Sequence, residues 1–373
     1  MAVVRRKTLA ASRLATAIAL LAGAILRPLP AAASEDGFLF NDEHFHLTNY
    51  IQKGPTAKQY LAIMGDKIGR SALFGIPLQQ TWAYENSGDY APTYYLQTDA
   101  PLYYYSFTDA VIATEYLSLP PKDRARLDPM ITGFNPADMY AVDHIRRVLA
   151  TFPGVFEGIG EFSIHKEFVS AKVAGNGASL TNPALDRILD FAAETGLLVL
   201  LHCDIDTPFD QGNTEPVYLS QMKALIKRHP NATIIWAHTG LGRVVKPLGA
   251  QATYTPLRNK NHIDFLTEML EDKTLKNLYF DISWDEVAKY VLASPDTEKR
   301  TAALLNKYPN RFLFGTDVVA PADQTAQLRV FHLWDPVFAQ LTPETSLAIR
   351  KTNYERLFDA ARTSVRAWEK KNL

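Results

Sequence analysis

Imidazole and carboxylate side chains follow short apolar segments at several points of this sequence. His44 and His46 are separated by one residue, so on a β-strand both rings project to the same side. Four further groups each come directly after an apolar run of strand length: Glu161, His202, His238 and Asp317. Charged and imidazole groups at the ends of apolar strands are not ordinary core residues. The pattern therefore predicts that these six side chains are ligands of a metal site.

The types of ligand indicate which ions such a site binds and what they do. Cys203 is the only cysteine of the chain, which excludes a cysteine-based zinc site and an intramolecular disulfide. Imidazoles combined with carboxylates suit Zn²⁺ and also Mn²⁺, Fe²⁺ or Ni²⁺, and we expect zinc, as one or two ions. A bound divalent ion lowers the pKa of a water molecule to about 7 and polarises a carbonyl group. We expect Asp317 to bind the ion and to take the proton from that water.

The elements that position these groups alternate along the chain. Apolar, β-branched runs alternate with amphipathic stretches such as 138–149 and 182–194, and parallel strands need crossover helices of this kind. Eight such units predict an α/β fold, a (β/α)8 TIM barrel, with a doubly wound open sheet as the alternative. In a barrel, the carboxyl ends of all strands meet at one opening. The predicted strands are 38–45, 72–78, 129–134, 155–162, 197–203, 233–238, 278–282 and 312–316.

Residues 1–33 have the pattern of a secretory signal peptide. The stretch holds five basic and no acidic residues, an apolar run of 13 residues at 14–26, and an alanine triplet at 31–33. That run is shorter than the roughly 20 residues of a membrane span, so we expect a secreted or periplasmic protein without a stable membrane anchor. Removal of the peptide leaves 34 basic against 40 acidic residues, a balance that does not favour nucleic acid as a partner. Residues 34–373 are expected to form one domain.

A tyrosine-rich insertion and three polar residues are the remaining candidates for contact with substrate. The segment 82–105 contains seven tyrosines and is interpreted as a lid, a contact in a homo-oligomer, or a packing loop. Arg243 is a candidate clamp for a substrate carboxylate, with a surface salt bridge as the alternative. His165 and Asp204 are candidates because they follow predicted strands. Asp281 and Ser283 share a face near a strand end, where one of them either supports a ligating imidazole or caps a loop.

The motifs D-E-H-F-H, G-I-G-E-F, V-L-L-H-C, I-W-A-H-T-G-L-G and L-F-G-T-D, in this order, resemble those of the amidohydrolase superfamily. The resemblance is to its amidohydrolase-related branch, which contains aminocarboxymuconate-semialdehyde decarboxylase and several lactonases. It implies a (β/α)8 barrel and a first metal bound by His44, His46, His202 and Asp317. It also implies that His238 is either a catalytic residue or a ligand of a second metal. Glu161 resembles instead the bridging glutamate of TatD-type nucleases, which leaves one and two metals open.

Three functions are compatible with these features. The first is an exported metal-dependent hydrolase, in which metal-bound hydroxide attacks a lactone, ester or amide, Asp317 accepts the proton and His238 stabilises the oxyanion. The second is a metal-dependent, non-oxidative decarboxylase of a small carboxylic acid held by Arg243. The third is an exported binding protein that has kept the barrel and lost the chemistry. Each takes a small molecule as its partner.

Overall fold

The computed structural model describes residues 37–175, 177–208, 215–243 and 260–373, and its central element is a sheet of eight parallel strands. Each strand pairs with the next one along the chain, from β1 through β8. This is the order of a (β/α)8 barrel, so the predicted fold class is confirmed. The predicted signal peptide, 1–33, lies outside the described residues. The strands are β1 Phe40–Asp42, β2 Ile68–Leu73, β3 Leu127–Ile131, β4 Gly158–Ser163, β5 Leu198–His202, β6 Ile234–Trp236, β7 Leu278–Asp281 and β8 Phe312–Leu313.

The first and last strands are joined at their carboxyl ends. Phe45–His46 pairs in parallel with Val318–Val319, directly beyond β1 and β8. The carboxylate of Asp42 accepts hydrogen bonds from the backbone nitrogen of Thr316 at 2.8 Å and from its hydroxyl at 2.7 Å. The side chain of Gln327 donates to the same carboxylate at 2.7 Å. The polar end of β1 thus holds the two edges of the sheet together where the predicted ligands lie.

Helices connect the strands and cover the outside of the sheet. One apolar cluster fills the layer between strands and helices, and a second lies inside the ring of strands. The α-helices are α1 Ala57–Met64, α2 Tyr84–Ser87, α3 Phe107–Leu117, α4 Pro121–Arg124, α5 Ala141–Thr151, α6 Val169–Lys172, α7 Pro183–Thr195, α8 Leu219–Arg228, α9 His262–Glu271, α10 Asp285–Val291, α11 Pro295–Lys307, α12 Gln324–Leu333, α13 Asp335–Phe338, α14 Pro343–Leu347 and α15 Asn353–Asn372. Shorter helical turns are Ala237–Gly240, Lys273–Leu275, Pro309–Arg311 and Ala348–Thr352.

Helix α7 shows how the local sequence sets these elements. The side chain of Asn182 accepts a hydrogen bond from the backbone of Ala184, and Pro183 occupies the first helical position. Gly196 ends the helix in the left-handed conformation, with φ of 78°. Between these caps the apolar side chains face the sheet at helical spacing, as predicted for 182–194.

The second strand lies further toward the amino terminus than predicted. It covers Ile68–Leu73, whereas the sequence pattern favoured 72–78. The start of β2 is hidden because it contains Arg70, whose guanidinium reaches Asp128 at 2.8 Å at the amino-terminal end of the sheet. An internal ion pair places a polar residue where a hydropathy pattern predicts an apolar one.

The tyrosine-rich insertion forms its own small unit outside the sheet. Leu78–Gln80 pairs antiparallel with Leu102–Tyr104, and helix α2 lies between these two strands. The large side chains of Trp82, Tyr84 and Tyr90 are exposed. In the described part of the chain, no helix is long and apolar enough to cross a membrane.

The amino-terminal end of the sheet is closed by the last helix. Tyr354 of α15 donates a hydrogen bond to the buried carboxylate of Asp128 at 2.6 Å, and Arg362 of the same helix pairs with that carboxylate. Arg70 binds Asp128 through two nitrogens, at 2.8 and 3.0 Å, and reaches exposed Asp359 at 2.7 Å. One buried carboxylate is therefore shared by two guanidinium groups and fixes α15 to the barrel.

The two carboxylates around Arg70 allow a matched test of this closure. We expect Asp128→Asn to lower the free energy of unfolding by about 3 kcal/mol, because it leaves two partly buried guanidinium groups without their shared charge. Asp359→Asn removes the exposed partner of the same arginine and is expected to cost less than about 1 kcal/mol. Urea unfolding followed by circular dichroism measures both. Equal effects of the two substitutions would contradict this account.

Candidate metal centre

The six predicted ligands meet at the carboxyl end of the barrel. Five of the six are buried, and Asp317 is half-buried, with a side chain that is 8% exposed. They come from different segments of the chain and are brought together only by the circular order of the strands. They lie in or directly after β1, β4, β5, β6 and β8: His44, His46, Glu161, His202, His238 and Asp317.

Four of these side chains form a first group: His44, His46, Asp317 and Glu161, the last through its Oε2 atom. Oδ1 of Asp317 lies 3.4 Å from Nε2 of His44 and 3.2 Å from Nε2 of His46. Oε2 of Glu161 lies 3.3 Å from Nε2 of His46 and 3.8 Å from Nε2 of His44. Two ligands of a tetrahedral ion with bonds of about 2.0–2.1 Å are about 3.3–3.4 Å apart. The spacing of the first group is therefore that of side chains sharing one ion.

Glu161, His202 and His238 form a second group. Oε1 of Glu161 lies 3.5 Å from Nε2 of His238 and only 2.5 Å from Nδ1 of His202. The other nitrogen of His202, Nε2, lies 3.0 Å from Oδ1 of Asp204. His202 thus contacts a carboxylate through each of its nitrogens. The structure groups it with Glu161 and His238, whereas the family resemblance placed it with His44, His46 and Asp317.

The outer nitrogens of three histidines have acceptors that fix the orientation of their rings. Nδ1 of His44 donates to Oδ2 of Asp281 at 2.9 Å, and Nδ1 of His46 donates to the backbone carbonyl of Gly75 at 3.2 Å. Nδ1 of His238 donates to the hydroxyl of Ser283 at 2.7 Å, and that hydroxyl donates to Oδ1 of Asp281 at 2.7 Å. With the proton held on Nδ1, loss of a proton from Nε2 leaves a lone pair directed at the cluster, which is the form of the ring that binds a metal ion.

These lone pairs test whether the residues fit a metal ion. Nε2 of His44 and Nε2 of His238 are buried and have no hydrogen-bond partner among the described residues. An unpartnered buried acceptor destabilises a fold by about 1–3 kcal/mol, and a metal ion is the partner that several such acceptors share. The donor set of imidazoles and carboxylates fits a divalent cation of the zinc type.

The carboxylates of the cluster stay ionised in spite of their burial. Burial raises the pKa of Asp317, but the imidazoles of His44, His46 and His238 outweigh it and hold that pKa below its ordinary value. Burial acts the same way on Glu161, whose pKa Lys166 and His202 hold well below its usual range. The cluster is therefore an acidic site that attracts a cation.

Unusual backbone conformations occur at the same strand ends. His238, Trp284 and Asp317 have positive φ angles of 56°, 76° and 50°, although none is glycine. Gly315 precedes this region in the L-F-G-T-D motif, and a Cβ atom there would lie 2.6 Å from the backbone nitrogen of His44. The motif glycine allows β8 to approach β1, and strained residues of this kind concentrate at functional sites.

Two of the predicted substrate-binding residues have internal partners. Asp204 is buried, and its carboxylate accepts hydrogen bonds from His202 and from the backbone of Glu167 at 2.9 Å. The ring of His165 stacks on Tyr218 with 3.8 Å between centroids, and the described residues show no contact between His165 and the six ligands. Their placement differs from the expectation that both face the substrate.

Arg243, the third predicted substrate-binding residue, joins the tyrosine-rich insertion to the mouth of the barrel. Its guanidinium donates to Glu167 and to the hydroxyl of Tyr95 at 2.8 Å each, and to the hydroxyl of Tyr94 at 2.7 Å. Its carbon Cζ also lies 5.0 Å from the ring centre of Trp284. The guanidinium is engaged by the protein itself, and the insertion is held beside the site.

Two residues near the ligands were missed in the sequence. Nζ of Lys166 lies 3.5 Å from Oε1 of Glu161, and its side chain is 11% exposed. The ring of Trp284 lies 5.0 Å from that of His238 and 5.8 Å from Nζ of Lys166. Both residues lie in loops directly after strands, Lys166 after β4 and Trp284 after β7. That position in the sequence could have identified them as candidates for the site.

Comparisons with proteins of known structure agree with the barrel. An amidohydrolase from Burkholderia multivorans with bound zinc is 12% identical, with 86% of this chain and 99% of that chain covered and a TM-score of 0.51. A probable 2-pyrone-4,6-dicarboxylic acid hydrolase from Acinetobacter baumannii with citric acid bound is 13% identical, with 86% and 99% covered and a TM-score of 0.50. At these identities the likeness is one of fold.

A comparison of the sequence with models of protein families shows the family to which the chain belongs. No curated protein sequence matches it. The family model described as Amidohydrolase, Amidohydro_2, matches residues 42–360, from the strand end before His44 to the last helix. The match covers most of the chain and includes all six gathered ligands. The protein therefore belongs to the amidohydrolase family and is an enzyme of its metal-dependent type.

Proposed function

We propose that this protein is an exported zinc hydrolase that cleaves a C–O or C–N bond in a lactone, an ester or an amide. The observation that carries the proposal is the position of Asp317, whose two carboxylate oxygens have different surroundings. Oδ1 belongs to the first group, near His44 and His46, while Oδ2 faces Nε2 of His238 at 3.8 Å. One carboxylate thus reaches both a ligand group and a neighbouring imidazole.

The residues of the first group are the ones that would hold the ion. His44 and His46 supply Nε2 atoms, Asp317 supplies Oδ1 and Glu161 supplies Oε2. When bound, a divalent ion supplies Lewis acidity, which activates water and polarises a carbonyl group. Asp281 and the carbonyl of Gly75 keep the two imidazoles in the required tautomer.

Asp317 is the residue proposed to act on the reacting atoms, and Nε2 of His238 faces its Oδ2 atom. Asp317 is ionised, so Oδ2 accepts the proton of the attacking water and later returns it to the leaving alcohol or amine. Burial lowers the pKa of His238, which keeps this imidazole neutral at pH 7. Hydrolysis needs a proton acceptor in addition to a polarised carbonyl. Oδ2 of Asp317 can accept the proton while Oδ1 of the same carboxylate stays in the first group of ligands.

The mouth of the barrel supports a small organic substrate. Trp284 covers His238 on one side, and Tyr94 and Tyr95 are held above by Arg243. Aromatic rings of this kind exclude water from the site and bind apolar parts of a substrate. A test is a screen of the zinc-loaded protein against lactones, esters, amides and small carboxylic acids. Turnover confined to release of carbon dioxide from the acids would overturn the proposal of hydrolysis.

The sequence of residues 1–33 supports export, because basic residues are followed by an apolar run and then by three alanines, as in a secretory signal peptide. We expect the mature protein to begin close to residue 34 and to occur in the periplasmic or secreted fraction of cells that produce the full chain. Mass spectrometry of the intact mature protein measures its amino terminus. A full-length chain in the cytoplasmic fraction would contradict export and leave the metal chemistry unaffected.

The ligand role of His44 gives a direct prediction. We expect His44→Ala to lower bound zinc at least tenfold, since it removes one nitrogen from the first group and leaves Asp281 without its donor. His332→Ala is the matched control, because the side chain of His332 is exposed and pairs with Asp335 on the surface at 3.1 Å. Elemental analysis after dialysis measures zinc per chain. Unchanged zinc in His44→Ala would remove the basis of the proposed function.

The role of Asp281 gives a second prediction. Asp281→Asn keeps the shape of the side chain but weakens the hydrogen bond that holds the Nδ1 proton of His44. We expect zinc affinity to fall about 10–100-fold, the usual effect of losing an outer partner of a ligating histidine. Ser283→Ala, which disturbs His238 and leaves the His44–Asp281 bond in place, is expected to have a smaller effect on zinc affinity. Competition with a fluorescent chelator measures both, and an unchanged affinity in Asp281→Asn would refute the role.

A further inference from the structure

We propose that the contact between the last helix, α15, and the barrel is pH-sensitive, and that Glu157 is the group that gains and loses the proton. The protonated form of Glu157 holds α15 in place, and the ionised form loosens it. The inference goes beyond the proposed function, because it concerns the end of the barrel opposite the metal centre. It starts from two buried carboxylates, Asp128 and Glu157, which are 0% and 1% exposed and which share the guanidinium of Arg362.

The two carboxylates differ in how completely they are hydrogen-bonded. Both oxygens of Asp128 accept hydrogen bonds from three side chains: Arg70, Arg362 and Tyr354. On Glu157 only Oε1 accepts, from Arg362 and from Arg366 at 3.2 Å each. Oε2 of Glu157 is buried without a hydrogen-bond partner among the described residues. Negative charge on that oxygen has no donor to stabilise it, so Glu157 rather than Asp128 is the acid that takes up a proton.

The titratable and charged side chains around Glu157 and Asp128 come from three other elements. They are Arg70 of β2, Tyr116 of α3, and Tyr354, Arg362 and Arg366 of α15. Further out, Glu369 pairs with Arg366 at 2.6 Å and exposed Asp359 pairs with Arg70 at 2.7 Å. The guanidinium groups are therefore divided among several carboxylates, and none of them serves Glu157 alone.

The arginines attract Glu157 only weakly, because they stay in contact with water. The side chains of Arg70, Arg362 and Arg366 are 17%, 34% and 28% exposed, so water screens their charges. Glu157 has lost almost all of its own contact with water. Burial and the negative charge of Asp128 raise the pKa of Glu157 to about 8, although Arg366 and Arg362 act in the opposite direction.

This shift fixes the direction of the pH dependence. The ordinary pKa of the group is near 4.5. Between that pH and about pH 8 the folded protein holds a proton that the unfolded chain has released. The stability contributed by this proton is therefore fully present below the ordinary value, and it is lost as the pH rises through about 8.

Helix α15 is the element that responds to the proton. Arg362 and Arg366, which cover Glu157, both belong to it. Its Tyr354 and Phe358 lie in the apolar cluster inside the ring of strands. Movement of α15 away from the barrel gives the carboxylate of Glu157 access to water, which favours the ionised form. Ionisation therefore favours the opened state of the helix by the same free energy.

The experiment follows hydrogen exchange of the mature protein at about pH 6 and about pH 8, with each rate corrected for the intrinsic effect of pH. In the wild type we expect the protection of residues 353–372 to fall at least about tenfold between the two conditions, because a single proton changes an opening constant by up to about tenfold per pH unit. Glu157→Gln has the shape of the protonated acid and is expected to keep its protection at about pH 8. Glu85→Gln, at an exposed position of α2, is the control for loss of a carboxylate and is expected to follow the wild type.

A fall in protection that is confined to α15 and absent from Glu157→Gln would support the proposal. An equal fall in the wild type and in Glu157→Gln would assign the effect to another group and overturn it. Unchanged protection of α15 in the wild type would overturn it as well, even if Glu157→Gln does not fold. In that last case carbon-13 spectra of the wild type with labelled glutamates decide a positive result, since the proposal fails if no glutamate titrates near pH 8.

Discussion

The hydrogen bond between Nδ1 of His44 and the buried carboxylate of Asp281, 2.9 Å long, is the contact on which the centre depends. It fixes the proton on one nitrogen and leaves the other with a lone pair inside the barrel. The same carboxylate accepts the backbone nitrogen of His238 at 2.6 Å and the hydroxyl of Ser283. One residue at the end of β7 therefore orients ligands from β1 and from β6, and the cost of burying its charge is offset by these donors.

The barrel divides its ionic groups between its two ends. At the carboxyl end, Nε2 of His44 and Nε2 of His238 are buried without a hydrogen-bond partner among the described residues, and an ion can satisfy them. At the amino-terminal end, both oxygens of Asp128 accept hydrogen bonds from Arg70, Arg362 and Tyr354. Similar chemical groups thus stabilise the fold at one end and create reactivity at the other, depending on whether the hydrogen bonding is complete.

Much of the fold and of the ligand set could be predicted because both depend on local pattern. The period of the apolar runs predicts the strands. The ligands could then be predicted because the carboxyl ends of parallel strands lie at one edge of the sheet, so that polar residues at those ends come together. What the sequence could not show depends on contacts between distant segments. Arg70 concealed the start of β2 because its partner lies 58 residues away, and Arg243 had a candidate role that its partners Tyr94 and Tyr95 now explain differently.

The division of the predicted ligands into two groups also depends on contacts between distant segments, so it could not be predicted from the sequence. His202 and His44 end similar strands, and nothing in their neighbouring residues distinguishes a ring with a carboxylate at each nitrogen from a ring whose Nε2 has no hydrogen-bond partner among the described residues. Lys166 was missed because a lysine in a loop is usually solvated, and only the turn of the chain after β4 directs it toward Glu161.

The join between β1 and β8 has a consequence for the order in which the enzyme matures. Asp42 and Thr316 are 274 residues apart in sequence, yet their contact brings His44 and Asp317 together. A nascent chain that still lacks its final quarter has both histidines of the first motif but no eighth strand to meet them. The predicted ligand set is therefore complete only after the eighth strand has been synthesised and has joined the first.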